Sequence, residues 1–209
     1  NVPLVESNRL PLKASVKPLK ELRELSLLFE LPQQDGNWKV KPAMYLGEMI
    51  GYEGQGSLLQ ALKEKGWAES LSAGPALSDR GATLFSIDIG LTPVGYEQYE
   101  QILVELFAWL KLIQQEGIEP WRQSELAVMS DIAFRFAEKI KPSDYVTMLA
   151  SNMHKYSDKN LLRAPYQRGE FDKQLISGLM DQLSIENMLL MVTAPEVDTT
   201  ELSAFYQTP

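Results

Sequence analysis

Residues able to carry hydrolytic or transfer chemistry are few in this chain, and their spacing excludes most of it. There is one histidine, His154, and no cysteine. A hydrolytic zinc centre needs about three protein ligands and an open position for water. One imidazole without thiolates does not supply that. No Gly-x-Ser-x-Gly element is present, and no spare histidine could act as base for a serine. His154 lies in Asn152-Met153-His154-Lys155-Tyr156 and reads as a helix-end residue. A glycine-rich turn, Gly51-Tyr52-Glu53-Gly54-Gln55-Gly56-Ser57, leads into a helix start, where backbone N–H groups favour anions. It follows a helix rather than a strand, however, and no lysine follows its last glycine, so the phosphate-cradling pattern is incomplete. A nucleotide-binding domain stays a rival reading, and tight packing of helix on helix is the plainer use of the glycines. Two carboxylates, Glu48 and Glu53, sit beside and within the turn. Each reads as a solvated or helix-capping carboxylate.

The elements around this turn are well marked. Pro42 suits a first helical position, where its missing N–H costs nothing. Ala43, Met44, Leu46, Met49 and Ile50 give an apolar face at helical spacing. Gly51 stands where a left-handed helix stop would need a residue without Cβ. Ser57 and Gln60 have capping-box spacing for a second helix, with Leu58, Leu59 and Leu62 on its buried side. Gly66 stops that helix. Trp67 to Ala73 reads as a strand ended by Gly74-Pro75, with a loop over 75–82. Four glycines within ten residues (Gly47, Gly51, Gly54, Gly56) let backbones approach closely.

Alternation predicts further strands at Leu12/Ala14/Val16, at Leu25 to Leu31 and at Phe85 to Leu91, with a last one at Met188/Leu190/Val192. Thr92 and Pro93 open a long helix whose stripe runs Tyr99, Ile102, Leu103, Leu106, Phe107, Leu110 and Ile113 to a stop at Gly117. Pro120 opens another, with Leu126, Met129, Ala133 and Phe136 inward. A helix over Pro142 to Met153 turns Tyr145, Met148 and Leu149 inward, and Phe171, Leu175, Leu179 and Leu183 space a fourth. In Ala133-Phe134-Arg135-Phe136, Arg135 is expected to pair with a carboxylate, and Trp109 and Trp121 to serve in core or interdomain packing. Each strand has a face that water can wet. The fold class is therefore α+β: an antiparallel sheet of about five or six strands backed on one face by helices. The expectation is a single domain over 1–209, with an extended lead-in over 1–11 and an exposed tail over 195–209.

With 209 residues, 44% of them hydrophobic, the chain can bury a substantial core. A net charge of −8 argues against nucleic acid and against an anionic membrane surface. No apolar run reaches the length of a membrane span. Without cysteine there is no disulfide framework. The chain opens at Asn1 and is read as a piece of a longer polypeptide.

One family resemblance covers nearly the whole chain. Tyr45 to Trp67, above all Gly51 to Leu59 and Lys65-Gly66-Trp67, resembles the second domain of the insulinase (insulysin, pitrilysin) family of zinc endopeptidases. The likeness continues through Ala133-Phe134-Arg135-Phe136 and Phe205-Tyr206-Gln207-Thr208. It implies four related α+β domains closing around a chamber, with the sheets facing inward. It also implies an inverted His-x-x-Glu-His zinc motif in the preceding domain. Zinc then belongs to the parent enzyme, none is bound by this chain, and the chain alone has no peptidase activity. The partners implied are peptide substrates and the other domains of the peptidase.

In that family the glycine corner and the strand after the second helix anchor the N-terminal part of a peptide, which adds as an extra strand. Carried over by position, the strand is Leu71-Ser72-Ala73-Gly74 and the corner is Glu48, Gly51, Tyr52, Glu53, Gly54 and Gly56. Glu48 or Glu53 would face the peptide's terminal ammonium. Tyr52 replaces the His of insulysins, Gln55 their Pro, and Ala73-Gly74-Pro75 their Gly-Gly-Gln. Pro75 cannot donate to a peptide carbonyl, so a shorter pairing strand is expected. The alternative is a scaffold or assembly domain of an inactive family member. Bacterial pitrilysins imply the periplasm, with the cytoplasm as the other choice.

Overall fold

The structure, a computed structural model, describes residues 9–199 and 201–202. The expected motif Phe205 to Thr208, most of the lead-in and the end of the tail lie outside them. Five strands form one sheet: β1 (Leu12–Val16), β2 (Glu24–Pro32), β3 (Ala68–Ser78), β4 (Ala82–Leu91) and β5 (Met188–Thr193), in the order β1-β5-β2-β4-β3. The α+β class holds, and the sheet is mixed. β2/β4, β2/β5 and β3/β4 are antiparallel, while β1/β5 is parallel. Alternation reports which face of a strand is buried and is silent about its direction, so that parallel pair left no mark in the sequence.

Side-chain period decides which face is covered. Leu25, Leu27, Phe29 and Leu31 of β2 are buried and sit opposite Ile89, Ile87, Phe85 and Thr83 of β4. Leu190 and Val192 of β5 join them from the other side. On this face pack the helices α1 (Pro42–Ile50), α2 (Leu58–Glu64), α4 (Tyr99–Leu112) and α7 (Lys173–Met180), through Leu46, Ile50, Leu59, Leu62, Ile102, Leu106, Ile176 and Leu179. The opposite face carries Ser86, Asp88 and Glu30, which are only half-buried.

The expected long helix after Thr92 is divided. α3 (Pro93–Glu97) ends at Gln98, α4 follows, and a π turn over Ile113–Gly117 closes it. Thr92 caps α3 as its type predicts, accepting from the Gly95 N–H at 2.9 Å. The fold departs from expectation more strongly in α5 (Pro120–Arg135) and α6 (Pro142–Met153). Of the stripe expected to face inward, Leu126 packs against the core, while Met129 at 66% and Phe136 at 79% exposed face out together with Ala133. The buried residue of α5 is Gln123, whose side-chain amide donates to the Val40 and Glu170 carbonyls. No residue of α6 is buried, although its span is the one the sequence predicts. Arg135 pairs with Asp131 at 2.7 Å, one helical turn away. Trp109 packs against the core, while Trp121 is half exposed beneath the Arg122 guanidinium. His154 caps the end of α6 at the surface. After Pro195, Glu196 pairs with Arg23 and Val197 is buried, so the tail begins attached to the sheet.

Candidate functional site: a groove at the open sheet edge

Helix α1 is fixed by its apolar face. Ala43, Tyr45, Leu46, Met49 and Ile50 are buried, and the Tyr45 hydroxyl bonds three backbone groups, the Gly117 and Glu119 carbonyls and the Glu119 N–H. The opposite side of the helix meets β3, the last strand of the sheet. A Cβ on Gly47 would fall 2.6 Å from the Ala73 carbonyl oxygen and 3.0 Å from the Gly74 Cα. The glycines therefore serve an approach of helix to strand, where the sequence had implied helix to helix. Gly51 has φ −82°, so the left-handed stop expected there is not formed. The positive φ belongs to Gly56, at +80° in the turn before α2. Ser57 caps α2 by accepting from Gln60 N–H, and the Gln60 side chain accepts in turn from Gly56 N–H, one residue before the usual capping-box partner.

Strand β3 does not end at Gly74. It runs on through Pro75 to Ser78, with a bulge after Pro75. The Ala73 oxygen faces Gly47, and its nitrogen lies 3.6 Å from where a Cβ on Gly51 would be. Both groups of Ala73 thus turn away from β4, toward the open edge. In an antiparallel ladder the edge-facing residues recur every second position, so Leu71 and Pro75 share that edge with Ala73. A proline is tolerated there because its missing N–H faces no partner strand. The edge offers the N–H and carbonyl of Ala73 and the carbonyl of Pro75, while the groups of Leu71, which is 3% exposed, are covered.

A cleft of about 250 Å³ runs between this edge and α1, lined by Met44, Gly47, Glu48, Gly51 and Glu53 opposite Leu71 to Gly74. It unites Glu48, Gly51, Glu53, Leu71, Ser72, Ala73 and Gly74. Tyr52, Gly54 and Gly56 do not line it. Tyr52 is half exposed and folds over Gly54, where a Cβ would come within 2.1 Å of its hydroxyl. The two carboxylates differ. Glu48 lies 3.7 Å from Arg168, whose side chain is 10% exposed. The exposed Glu53 has no side-chain partner among the described residues. Arg168 escaped sequence reasoning because it reaches the site from a loop more than a hundred residues downstream, with no local signal. Burial holds its guanidinium below the usual arginine range, and Glu48 partly opposes that.

Lys41 stands at the start of α1 in the left-handed region, with φ 51°. Its ammonium donates to the Pro165 carbonyl. Burial first, and the nearby Arg168 second, lower its pKa to about 8. Below that pH both the folded and the unfolded chain hold the proton, and the penalty of burying the charge is complete. Above it the unfolded chain holds more protons than the folded one, so stability rises with pH. Lys41→Met is expected to stabilise the chain at pH 7. The wild-type deficit should shrink toward about pH 9.5, below the tyrosine range. Denaturant midpoints measured across that window check this, and a constant difference would refute it.

The donor set for a metal is poor. Among the described residues no group of three or more His, Cys, Asp or Glu could hold a metal ion. Nor is any described helix long and apolar enough to cross a membrane.

The model of the family described as "Peptidase M16 inactive domain" matches residues 3–126, and that described as "Middle or third domain of peptidase_M16" matches 134–209. Insulin-degrading enzyme of Homo sapiens is 33% identical over 201 residues, covering 93% of this chain and 20% of that protein. The A-factor-processing enzyme of Saccharomyces cerevisiae is 30% identical over 207 residues, covering 99% of this chain and 20% of that protein. The chain therefore spans about a fifth of the length of these relatives. Among solved structures, the crystal structure of pitrilysin superposes with a TM-score of 0.93 at 22% identity, over 100% of this chain and 22% of that one. This last likeness concerns the fold.

Proposed function

The chain belongs to the peptidase M16 family, and from that membership we propose that it is a non-catalytic part of a zinc endopeptidase, anchoring one end of a peptide that is cut elsewhere. The observation that carries this reading is the open edge of β3. Its backbone groups at Ala73 turn away from β4 and border, with the largely buried Leu71, a groove walled by the end of α1. Main-chain pairing of this kind accepts many sequences. Zinc and the cleavage step belong, on this reading, to another part of the parent polypeptide, since no group of three or more His, Cys, Asp or Glu among the described residues could hold a metal ion. Glu53 is the better partner for a peptide's terminal ammonium, since Glu48 already faces Arg168.

The test is peptide binding with alternate N-methylation. Blocking an N–H that bonds the edge should weaken capture by about 2- to 10-fold, the worth of one hydrogen bond. Methylation at the intervening residues should have little effect. Acetylating the terminus should weaken capture as well, and Glu53→Gln should remove that sensitivity. Binding that ignores the position of the methyl group would defeat the strand-addition reading.

Contact with other domains of the parent polypeptide is the second part of the proposal. Val128, Met129 and Ile132 on α5 and Phe136 at its C-cap are all more than half exposed, and the relatives are about five times as long as this chain. A neighbouring domain of the same polypeptide is the occupant that would cover them.

A further inference from the structure

A second cavity of about 370 Å³ adjoins the groove along β3, and Met44 lines both. Helix α1 begins there without a side-chain cap. Pro42 has no N–H, and the amides of Ala43 and Met44 find no carbonyl within the helix. Three cationic side chains line the cavity, Lys41, Lys155 and Arg168, against one carboxylate, Asp35. That carboxylate is already taken by Lys155 at 2.8 Å. Lys41 is left with a neutral carbonyl, and Arg168 with Glu48 at 3.7 Å. In a chain of net charge −8 this is a local surplus of positive charge, partly shielded from water. Trp38 and Tyr156, edge to face at 5.8 Å, form an apolar wall beside it.

We propose that this cavity is a specificity pocket for an acidic side chain carried by the peptide bound along β3. The free amides of α1, the Lys41 ammonium and the Arg168 guanidinium would hold the carboxylate, and the Trp38–Tyr156 wall would take the methylenes that lead to it. An anion here also relieves two partly buried cations, one held only by a neutral carbonyl and the other sharing a carboxylate 3.7 Å away. The inference rests on the peptide-anchoring reading and adds a side-chain preference to a site whose backbone contacts are otherwise indifferent to sequence.

Two measurements separate the pocket from the anchoring. In the first, the chain is titrated with peptides carrying Glu or Gln at each of their first several positions in turn. At one position, Glu should bind about tenfold or more tighter than Gln, the worth of hydrogen bonds to a charged group. Lys41→Met should erase that difference while leaving the Gln peptide's affinity in place. In the second, the Lys41 ammonium is titrated by NMR with and without N-acetylglutamic acid α-amide, and in parallel with inorganic phosphate. The acidic amide should move the Lys41 midpoint upward from about 8. Peptides that bind with no Glu/Gln difference anywhere would overturn the pocket and leave the anchoring standing. Peptides that fail to bind, with Lys41 still responding to the acidic amide, would leave the pocket and remove the anchoring. An unmoved Lys41 midpoint would overturn the pocket on its own. Phosphate acting alone, without peptide discrimination, would make it a free-anion site and refute the side-chain assignment.

Discussion

Gly47→Val is expected to destabilise the chain by about 2–3 kcal/mol, the size of a forced overpacking, and to lower its melting temperature by about 4–12 °C for a domain of this size. Helix propensity alone points the other way. Replacing a mid-helix glycine gains up to about 1 kcal/mol. The clash decides the sign, because a Cβ at Gly47 meets the Ala73 oxygen at 2.6 Å and the Ala73 carbonyl carbon at 3.2 Å. These are backbone atoms of a strand already hydrogen-bonded to β4, so they cannot step aside singly. Nor can α1 retreat easily, since Leu46 and Ile50 are wholly buried on its other side. Gly178→Ala in α7 is the matched comparison. A Cβ there meets nothing within 4 Å, so only the propensity gain remains and the midpoint should rise. If Gly47→Val and Gly178→Ala shift the denaturation midpoint alike, the close approach of α1 to the β3 edge is wrong. Gly47→Val should also narrow the groove and reduce peptide capture, an effect Gly178→Ala should not share.

The parts of this structure that were legible in the sequence are those governed by local chemistry. Burial alternates cleanly along β4, from Phe85 through Ile87 and Ile89 to Leu91, as the residue types require. Ser57 and Thr92 cap the helices that follow them because a short hydroxyl at that position satisfies an orphan N–H. Where two local signals competed, the reading failed. Pro75 has the residue type of a strand stop, yet on an open edge a proline removes a donor that no neighbouring strand needs, and β3 continues to Ser78. Where the deciding contact is distant, there was nothing to read. The stripe of Met129 and Phe136 has the spacing of a buried face, and spacing does not say what covers it. The glycine corner was found from its composition, but its close partner is the strand Ala73-Gly74, and that follows only from topology. The cation-rich cavity gathers Lys41, Lys155 and Arg168 from three separate segments, so no window of sequence contains it.

A chain cut between the two family matches, after residue 133, is expected not to fold. The matches divide the polypeptide near 126–134, but the sheet does not divide there. β5 comes from the second segment and lies between β1 and β2. β1 reaches the sheet only through β5, so the cut detaches β1 and turns β2 into a bare edge. The lost segment also carries Ile176, Leu179, Met180, Leu183, Met188, Leu190 and Val192, all buried in the common core. At about 1.5–3 kcal/mol for each fully buried side chain, their removal amounts to roughly 10–20 kcal/mol. That matches or exceeds the whole stability of an ordinary domain, about 5–15 kcal/mol. Residues 1–133 should therefore show no cooperative thermal transition. Adding a second polypeptide spanning 134–209 should restore one, because it supplies the missing central strand together with α7. A cooperative transition in the short chain alone would mean that β5 and α7 are dispensable, and that the two matched segments fold as separate units.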